Sequence, residues 1–382
     1  MVNSNANALG IIFPNSYDKT MPEMTNDRLM ASIPFASRYR MIDFILSSMV
    51  NGGIDNVTIM VKENYWSLID HLGSGREWDL TRKNGGLHIV PPFAIRNQKV
   101  YGGRIEALVN ILAFLKQQKE EYVIISDANI AVNFDFSDMI KQHIESGADV
   151  TLAYANCEGP RTLPDTIESG RDMYYLVDLD VDGRVTDIKI NRELSPGSHD
   201  LSMNIYIMRR DKMIEMVHDA YVDGGIYFER DVLLRNIDSL HVQGYKYNGY
   251  FAVMYGMKTY YDESMRLLEN DNLDALFEGN TIYTKIRDDN PTRYIGDPKV
   301  VNVMAADGCV IEGEVENSIL FRGVKIAKGA KVKNAILMQD TVVGENTEVR
   351  YVITDKNVKI SKDQKISGSK DYPFYVPKGK EV

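Results

Sequence analysis

The sequence has few of the residues that build disulfide frameworks and zinc sites. Its 382 residues include two cysteines and six histidines, and no Cys/His cluster has the spacing of zinc ligands. The two cysteines, Cys157 and Cys309, are far apart in the sequence, so we predict two reduced, buried thiols rather than a disulfide. Histidine is absent after His241, which leaves the C-terminal third of the chain without an imidazole base.

Long apolar stretches and an excess of basic residues are also absent. No run approaches the ~20 apolar residues that a membrane span needs, and the N-terminus lacks the basic and apolar regions of a signal peptide. The 54 acidic residues outnumber the 44 basic ones and give a net charge of −10, whereas nucleic-acid-binding domains usually carry a basic face. We therefore expect a cytoplasmic protein that binds neither nucleic acid nor a membrane.

From residue 8 to about 260, the sequence contains short apolar runs that alternate with amphipathic segments. The predicted strands are Ala8–Phe13, Val57–Val61, Tyr122–Ile125 and Asp149–Tyr154, and the predicted helices are Tyr39–Gly52, Trp66–Leu72, Ile105–Gln118 and Phe136–Ser146. Repeated strand–helix–strand units predict an α/β fold with a mostly parallel sheet and helices on both faces. Because ligands bind at the carboxyl ends of such strands, Asp127 marks the expected mouth of a site.

The C-terminal part of the chain has a different periodicity, with apolar residues that recur every 17 positions. One column contains Cys309, Ile326, Val343 and Ile360, a second contains Val315, Val332, Val349 and Ile366, and a third contains Ile319, Ile336 and Ile353. The first two columns are six residues apart within a turn, which is hexapeptide spacing. A parallel β-helix has this pattern, whereas antiparallel strands would alternate with a period of two.

These patterns divide the chain into three parts. We predict an α/β domain at 1–260, a linker with one helix at 261–298, and a hexapeptide β-helix at 299–382 that ends in a C-terminal arm. The arm reads KDYPFYVPKGKEV, with two prolines and three aromatic residues. We predict that it packs on a neighbour or frays.

Several motifs resemble the bacterial glucose-1-phosphate adenylyltransferases. Thr25–Val57 contains IPFASRYRMIDFILS and resembles that family's V-P-F-G-G-K-Y-R-I-I-D-F-x-L-S, and Ser67–Gly75 resembles its S-L-I-D-H-I-G-x-G. Tyr101–Asn110, Leu201–Met208 and Tyr227–Leu234 correspond to later motifs of the family. The resemblance implies a Rossmann-like nucleotidyltransferase domain followed by a left-handed parallel β-helix.

The reaction of that family joins glucose 1-phosphate to the α-phosphate of ATP and releases pyrophosphate. Because two anions meet, the resemblance implies a glycine-rich phosphate loop with an arginine, and Mg²⁺ held by two aspartates. The corresponding loop here reads FPNSYDKT at 13–20, without glycine and with Lys19 as the only replacement for the arginine. Its proline also removes an N–H donor, so we interpret this segment as an ordinary surface loop.

The resemblance also implies that the metal site is incomplete. Asp127 matches the family's first metal aspartate, but the segment GYFAVMYG at 249–256 places Val253 at the second. A single carboxylate opposite a valine will bind Mg²⁺ poorly. An alternative role for Asp127 is to cap the turn after its strand.

Two further sites follow from the resemblance alone. A remnant substrate pocket is expected at Tyr101, Gly102, Glu106, Lys189, Ser202 and Met203, and an effector site for sugar phosphates at Arg28, Arg38 and Arg40. Within the pocket, Asn204 replaces a family glycine, and Lys189 is one of two substitutes for a phosphate-binding lysine. Glu106 has an equally good explanation as an acidic residue at the start of a helix.

Loss of the glycine loop, its arginine and one aspartate together predicts a non-catalytic or weakly active regulatory subunit. In this respect the chain resembles the divergent second subunit of some Gram-positive bacteria, which assembles with a catalytic subunit as a mixed tetramer. The resemblance therefore implies a catalytic glucose-1-phosphate adenylyltransferase subunit as partner, a sugar-phosphate or nucleotide effector, and no tightly bound cofactor.

Two alternatives remain open. The chain is an active, divergent adenylyltransferase if Lys19, Asp127 and a substitute ligand such as Asp187 complete a site for Mg²⁺. Hexapeptide β-helices also occur in acyltransferases, but those enzymes usually need a histidine as general base, and no histidine follows His241.

Overall fold

The computed structural model describes residues 7–92, 101–158, 174–192 and 195–382. An α/β domain with a mostly parallel sheet is followed by a parallel β-helix, as the sequence predicted. In these ranges no helix combines the length and the apolar character needed to cross a membrane.

The α/β domain is built on a nine-stranded sheet and two short ribbons. Its strands are β1 (Ala8–Phe13), β2 (Pro34–Phe35), β3 (Tyr39–Arg40), β4 (Asn56–Met60), β5 (Gly86–Val90), β6 (Tyr122–Asp127), β7 (Ile130–Val132), β8 (Val150–Glu158), β9 (Tyr175–Leu179), β10 (Val185–Ile190), β11 (Ser198–Arg209), β12 (Val242–Tyr247) and β13 (Phe251–Val253). The main run of the sheet is β5-β4-β1-β6-β11-β8-β12. Only β11 is antiparallel to its neighbours in this run.

Helices cover both faces of this sheet. They are α1 (Pro22–Thr25), α2 (Met41–Asn51), α3 (Trp66–Leu72), α4 (Arg104–Asn110), α5 (Leu112–Leu115), α6 (Phe136–Ser146), α7 (Arg210–Val222), α8 (Met257–Arg266) and α9 (Asn270–Phe277). Successive residues of β1 point to opposite faces: Ile12 belongs to the core under α2 and α6, and Ile11 to the core under α4, α5 and α7.

Local sequence determines where several helices begin and end. The Asp135 carboxylate accepts the N–H groups of Ser137 and Asp138, which caps α6 at the predicted residue. The predicted helix Ile105–Gln118 is two helices, because Ile111 leaves helical geometry at φ −109° and ψ 8°. Where the sequence predicted one helix in the linker at 261–298, two helices are present: α8 begins before the predicted boundary, and α9 lies inside it.

The β-helix consists of short strands that pair in parallel from coil to coil. They are β14 (Arg293–Tyr294), β15 (Val300–Ala305), β16 (Val310–Ile311), β17 (Glu314–Leu320), β18 (Lys325–Ile326), β19 (Lys331–Lys333), β20 (Ile336–Leu337), β21 (Val342–Val343), β22 (Glu348–Arg350), β23 (Val352–Thr354), β24 (Lys359–Ile360), β25 (Lys365–Ser367) and β26 (Phe374–Val376). Their buried aliphatic residues form a core inside the coil.

The predicted columns match the observed register except in the first coil. Ile326 pairs with Val343, and Val343 with Ile360, so this column has the 17-residue period. Cys309 does not belong to this column: Ile311 pairs with Ile326, because the coil between them has 15 residues instead of 17. Cys309 is buried, as predicted for both cysteines, and its Sγ lies 3.2 Å from the Phe321 carbonyl oxygen.

The C-terminal arm adds another strand to the β-helix instead of fraying. Strand β26 pairs in parallel with β23, and the Tyr375 hydroxyl donates to Asp355 Oδ2 at 2.8 Å. The same carboxylate oxygen lies 2.5 Å from Nη2 of Arg28 in the α/β domain, and both side chains are buried. One hydrophobic core also continues from the α/β domain to Ile319 and Ile336 of the β-helix, so the two domains are packed together by polar and apolar contacts.

Candidate functional site

Asp127 lies at the carboxyl end of β6 and is completely buried. Its Oδ1 accepts hydrogen bonds from the Ser16 hydroxyl at 2.6 Å and from Arg104 Nη2 at 2.8 Å. Its Oδ2 accepts one from the Asn204 amide at 2.9 Å. Both carboxylate oxygens are therefore engaged by side chains of the protein itself.

Arg104, the first residue of α4, is held between two buried carboxylates. Its Nη1 pairs with Glu229, which lies in a π-helical turn at Phe228–Leu233. Only 11% of the Arg104 side chain is exposed. Burial alone lowers the pKa of Arg104, but the carboxylates of Asp127 and Glu229 outweigh it and hold the pKa well above its usual value. The guanidinium is therefore charged at every physiological pH.

Glu229 has two further donors, the hydroxyls of Tyr175 and Tyr206, each at 3.2 Å. With one cation and two carboxylates, the group formed by Arg104, Asp127 and Glu229 has a formal charge of −1. Such a group does not attract phosphate, because its only cation is already neutralised. Its position at the carboxyl end of a parallel strand is nevertheless where ligands bind in this fold.

The residues around Asp127 do not fit Mg²⁺. The ion needs several oxygen ligands, but both oxygens of Asp127 accept hydrogen bonds and Arg104 supplies the neighbouring positive charge. Val253, at the second metal position of the resembling family, is buried and pairs with Ile130 between β13 and β7. Across the described part of the chain, no group of three or more His, Cys, Asp or Glu side chains could hold a metal ion.

The loop after β1 packs into this site, contrary to its interpretation as an ordinary surface loop. Tyr17 is buried, its hydroxyl accepts a hydrogen bond from the Asn204 amide at 2.8 Å, and its ring lies edge-on to Tyr255. The neighbouring Asp18 accepts the Met30 N–H at 2.6 Å. Lys19 is exposed in a 3₁₀ turn, so the loop brings a tyrosine to the site instead of a cation.

Asn204, which the sequence comparison placed at the position of a family glycine, adopts a left-handed backbone conformation. It adopts φ +54° at an irregularity in β11 between Ser202 and Ile205. Asparagine tolerates this left-handed region better than most residues. Ser202 and Met203 are buried beside it, and the Ser202 hydroxyl accepts the Asn204 N–H at 3.2 Å. The side chain that glycine lacks bridges Asp127 and Tyr17.

The predicted substrate residues are only partly brought together. Tyr101 and Gly102 line a cavity of about 170 Å³ next to Arg104. Glu106 Oε2 accepts the Gly102 N–H at 2.6 Å, which fits its alternative role at a helix start. Lys189 is not among the residues that line this cavity; it lies on β10 and pairs with Asp178 at 2.6 Å.

Asp187 is too distant to serve as the substitute metal ligand. It lies on the edge strand β10, and β9 and β11 separate that strand from β6. Neighbouring strands are about 4.8 Å apart, so three steps place the two backbones about 14 Å apart. Asp187 and Asp127 therefore cannot coordinate one ion.

The sequence analysis missed Arg104 and Glu229 altogether. The two residues are 125 positions apart. Each lies inside a motif that resembles the family, but neither was singled out as a functional residue of that motif. The available signal was an arginine in the YGGRIEALVN segment together with a glutamate in YFERDVLL. Nothing in the sequence indicates that these two charges meet.

A second candidate site is a basic cleft of about 320 Å³ between the α/β domain and the β-helix. Its cationic lining residues are Arg38, Arg40, Lys285, Arg287, Arg322 and Lys356. Asp70 is the single carboxylate among the described residues that line it. Arg38 and Arg40 were predicted as effector residues, but Arg28 does not line the cleft because it pairs with Asp355.

Burial and mutual repulsion make these cations receptive to an anion. Burial, with help from Arg40 and Arg28, lowers the pKa of Lys356 to about 7, and burial lowers the pKa of Arg40 to about 10. In the described ranges, Lys356 has no carboxylate within ion-pair distance. A bound anion would favour the charged form of both groups.

The comparisons with known proteins agree with this architecture. Residues 20–162 match the family described as Nucleotidyl transferase, and residues 289–372 match the family described as GlmU-like, C-terminal hexapeptide. The chain is 34% identical to the glycogen biosynthesis protein GlgD of Bacillus subtilis (strain 168), over 98% of this chain and 97% of that protein. It is 35% identical to GlgD of Geobacillus stearothermophilus over the same shares. The glucose-1-phosphate adenylyltransferase of Bacillus cytotoxicus is 27% identical over 96% of each chain.

We expect Arg104→Gln to destabilise the protein by about 3–5 kcal/mol at pH 8, because it leaves two carboxylates buried without their cation. Without Arg104, burial raises the folded-state pKa of Asp127 and Glu229 above their unfolded values. The loss is therefore largest at high pH and shrinks as the pH falls towards 5 and the carboxyls take up protons. Urea unfolding of the variant and of the unsubstituted protein between pH 5 and 8 measures this loss of stability.

Arg209→Gln is the control, because Arg209 pairs with Glu121 and Asp211 at an exposed site. Its free energy of unfolding should change little, because solvent screens an exposed ion pair. A loss for Arg104→Gln that equals the control, or one that does not depend on pH, would contradict the buried arrangement.

Proposed function

The chain belongs to the family of the glycogen biosynthesis protein GlgD, and from this premise we propose that it acts in glycogen biosynthesis as a non-catalytic regulatory subunit of glucose-1-phosphate adenylyltransferase. The proposed partner is a catalytic subunit of the kind represented by the relatives with that name. The two subunits would form a hetero-oligomer, which we propose to be a tetramer in the cytoplasm.

The observation that carries this proposal is the burial of Arg104 between Asp127 and Glu229. Transfer of a nucleotidyl group needs free positive charge where the anions react. Here Arg104, the cation that contacts Asp127, is neutralised by two carboxylates. Lys62 also lines the cavity, beside the Tyr101 ring, but Val253 stands at the position of the second metal aspartate. We therefore propose that the isolated chain binds no cofactor tightly and does not form ADP-glucose.

Exposed apolar residues support a partner beside the basic cleft. Trp66, the first residue of α3, is 79% exposed, and Ile286 is 70% exposed. Ile286 lies between the cleft residues Lys285 and Arg287, and Lys285 Nζ donates to the Asp70 carbonyl oxygen on α3 at 2.6 Å. Exposed tryptophan is a frequent anchor of protein interfaces, so we propose that the catalytic subunit covers this rim.

The basic cleft supports a sugar-phosphate or nucleotide effector. An anion there would contact the α/β domain through Arg38 and Arg40 and the β-helix through Arg322 and Lys356. Such a ligand regulates the complex if it binds one arrangement of the two domains more tightly than another. Arg28 takes no part in this proposed site, because it is buried against Asp355.

The test is ADP-glucose synthesis by the isolated chain, by its catalytic partner, and by the two mixed. We expect no product from the chain alone and a changed rate or effector response in the mixture. A mixture with a catalytic subunit that lacks its metal aspartate should be inactive. Turnover by the isolated chain, at a rate that contamination cannot explain, would support the alternative of an active, divergent enzyme.

The basic cleft yields a pH prediction with inorganic sulfate as the probe, because the charge of sulfate is constant between pH 6 and 8.5. Lys356 must be protonated to contribute, and its pKa of about 7 in the free protein lies inside this range. Sulfate binding should therefore weaken several-fold as the pH rises from 6.5 to 8.5. Isothermal titration calorimetry measures the affinity.

Lys356→Arg is the matched variant, because a guanidinium stays protonated over the whole range. It should bind sulfate with almost the same affinity at both pH values. Equal pH dependence in Lys356→Arg and in the unsubstituted protein would show that Lys356 is not the titrating group.

A further inference from the structure

A third cavity, of about 780 Å³, is a groove between α8 and one corner of the β-helix. Asn302, Asn317, Asn334 and Tyr351 contribute the β-helix side, and Tyr261 contributes from α8. The four β-helix residues occupy equivalent positions in successive coils, because they follow one another at intervals of 15, 17 and 17 residues. The groove is separate from the site at Asp127 and from the basic cleft, whose lining residues are different.

The corner requires a left-handed backbone, which explains the asparagines but not the tyrosine. The φ angles are +52° at Asn302, +45° at Asn317, +51° at Asn334 and +52° at Tyr351. Asparagine adopts this region readily, whereas a bulky aromatic residue rarely does. A residue held in such a conformation is frequently kept for its side chain. Tyr351 therefore marks the groove as more than a structural corner.

The asparagine amides have unused hydrogen-bonding capacity. Asn302 donates through Nδ2 to Asn317 Oδ1 at 2.9 Å, which leaves the Asn302 oxygen and the Asn317 nitrogen available. In the described part of the chain, the side chain of Asn334 forms no hydrogen bond; its backbone carbonyl accepts the Tyr261 hydroxyl. Successive coils are about 4.8 Å apart, so the groove presents a ladder of amide donors and acceptors.

The charges in the groove nearly cancel, unlike those in the basic cleft. Three cationic and four carboxylate side chains line it. Lys258 pairs with Asp262, and Arg266 pairs with Glu263 at 2.9 Å. This composition does not select a phosphate, but it suits a ligand that is uncharged and rich in hydroxyl groups.

We propose that this groove binds an α-glucan chain. Planar amides donate to and accept from neighbouring sugar hydroxyls, and a tyrosine ring packs against the apolar C–H face of a sugar. The choice of glucan among polyhydroxylated ligands rests on membership of a glycogen biosynthesis family, and glucan binding does not require the proposed regulatory role. The groove would attach the chain to the polymer that its pathway extends.

The experiment uses the full-length chain without a catalytic subunit. Maltoheptaose binding is measured by calorimetry, and glycogen binding by co-sedimentation. Binding of both probes identifies a linear glucan segment as the ligand, and binding of glycogen alone identifies the branched polymer; both results support the proposal. Absence of binding to either probe overturns it. Because no ADP-glucose is measured, failure here is distinct from failure of the regulatory function.

Glycine substitutions at the corner remove the amides while keeping the backbone conformation. Asn317→Gly combined with Asn334→Gly should weaken glucan binding at least tenfold. Asn357→Gly is the matched control, because Asn357 also adopts a positive φ, of +59°, and does not line the groove. Equal glucan affinity in the double variant and the control would contradict the proposal.

Tyr351→Asn separates a binding role from a structural one. If the tyrosine is kept for its ring, the variant relieves an unfavourable backbone conformation, so it should unfold at the same temperature or a higher one while it binds glucan several-fold more weakly. Loss of thermal stability with unchanged glucan affinity would assign Tyr351 to packing. If the groove variants instead change association with the catalytic subunit and leave glucan binding intact, the groove is a protein interface and the proposal is wrong.

Discussion

The arrangement at the carboxyl end of β6 depends on one interaction, the guanidinium of Arg104 between the carboxylates of Asp127 and Glu229. Two carboxylates cannot remain buried and charged without a cation or an equivalent set of donors. Tyr17 and Asn204 complete the arrangement, because Asn204 bonds to Asp127 and to the Tyr17 hydroxyl. Arg104 thus supplies the positive charge that the two buried carboxylates require, and these carboxylates neutralise it.

Patterns that repeat along the chain predicted the fold well, and contacts between distant residues were not predictable. The 17-residue period fixed the β-helix because each inward aliphatic residue contacts its counterpart in the next coil. Cys309 was placed in the wrong column because the coil from Ile311 to Ile326 is two residues shorter than the others. At the site, the absent glycine loop and Val253 were visible in the sequence. The pairing of Arg104 with Glu229 was not, because it depends on how α4 and a distant π-helical turn meet.

The three cavities differ in charge, and we therefore propose a different role for each. The cavity near Asp127 lies beside Arg104, whose charge is neutralised by two carboxylates. The cleft between the domains has six cations and one carboxylate among its described lining residues. In the groove at the β-helix corner, three cations and four carboxylates nearly cancel. The proposed loss of catalysis at the first is compatible with the proposed anion binding at the second, because the two cavities are built from different residues. The scaffold that separates them is held by the buried Arg28–Asp355 pair and a continuous hydrophobic core.

The most direct test of the central claim is a titration of the isolated chain with Mn²⁺, followed by electron paramagnetic resonance, because Mn²⁺ takes the same oxygen ligands as Mg²⁺. If Arg104 supplies the positive charge at Asp127, one equivalent of protein should leave the signal of free Mn²⁺ at full intensity. In the presence of ATP, the signal should fall only by the amount that ATP itself binds. Stoichiometric Mn²⁺ binding that disappears in Asp127→Asn would contradict the account, because Asp127 would then be a metal ligand.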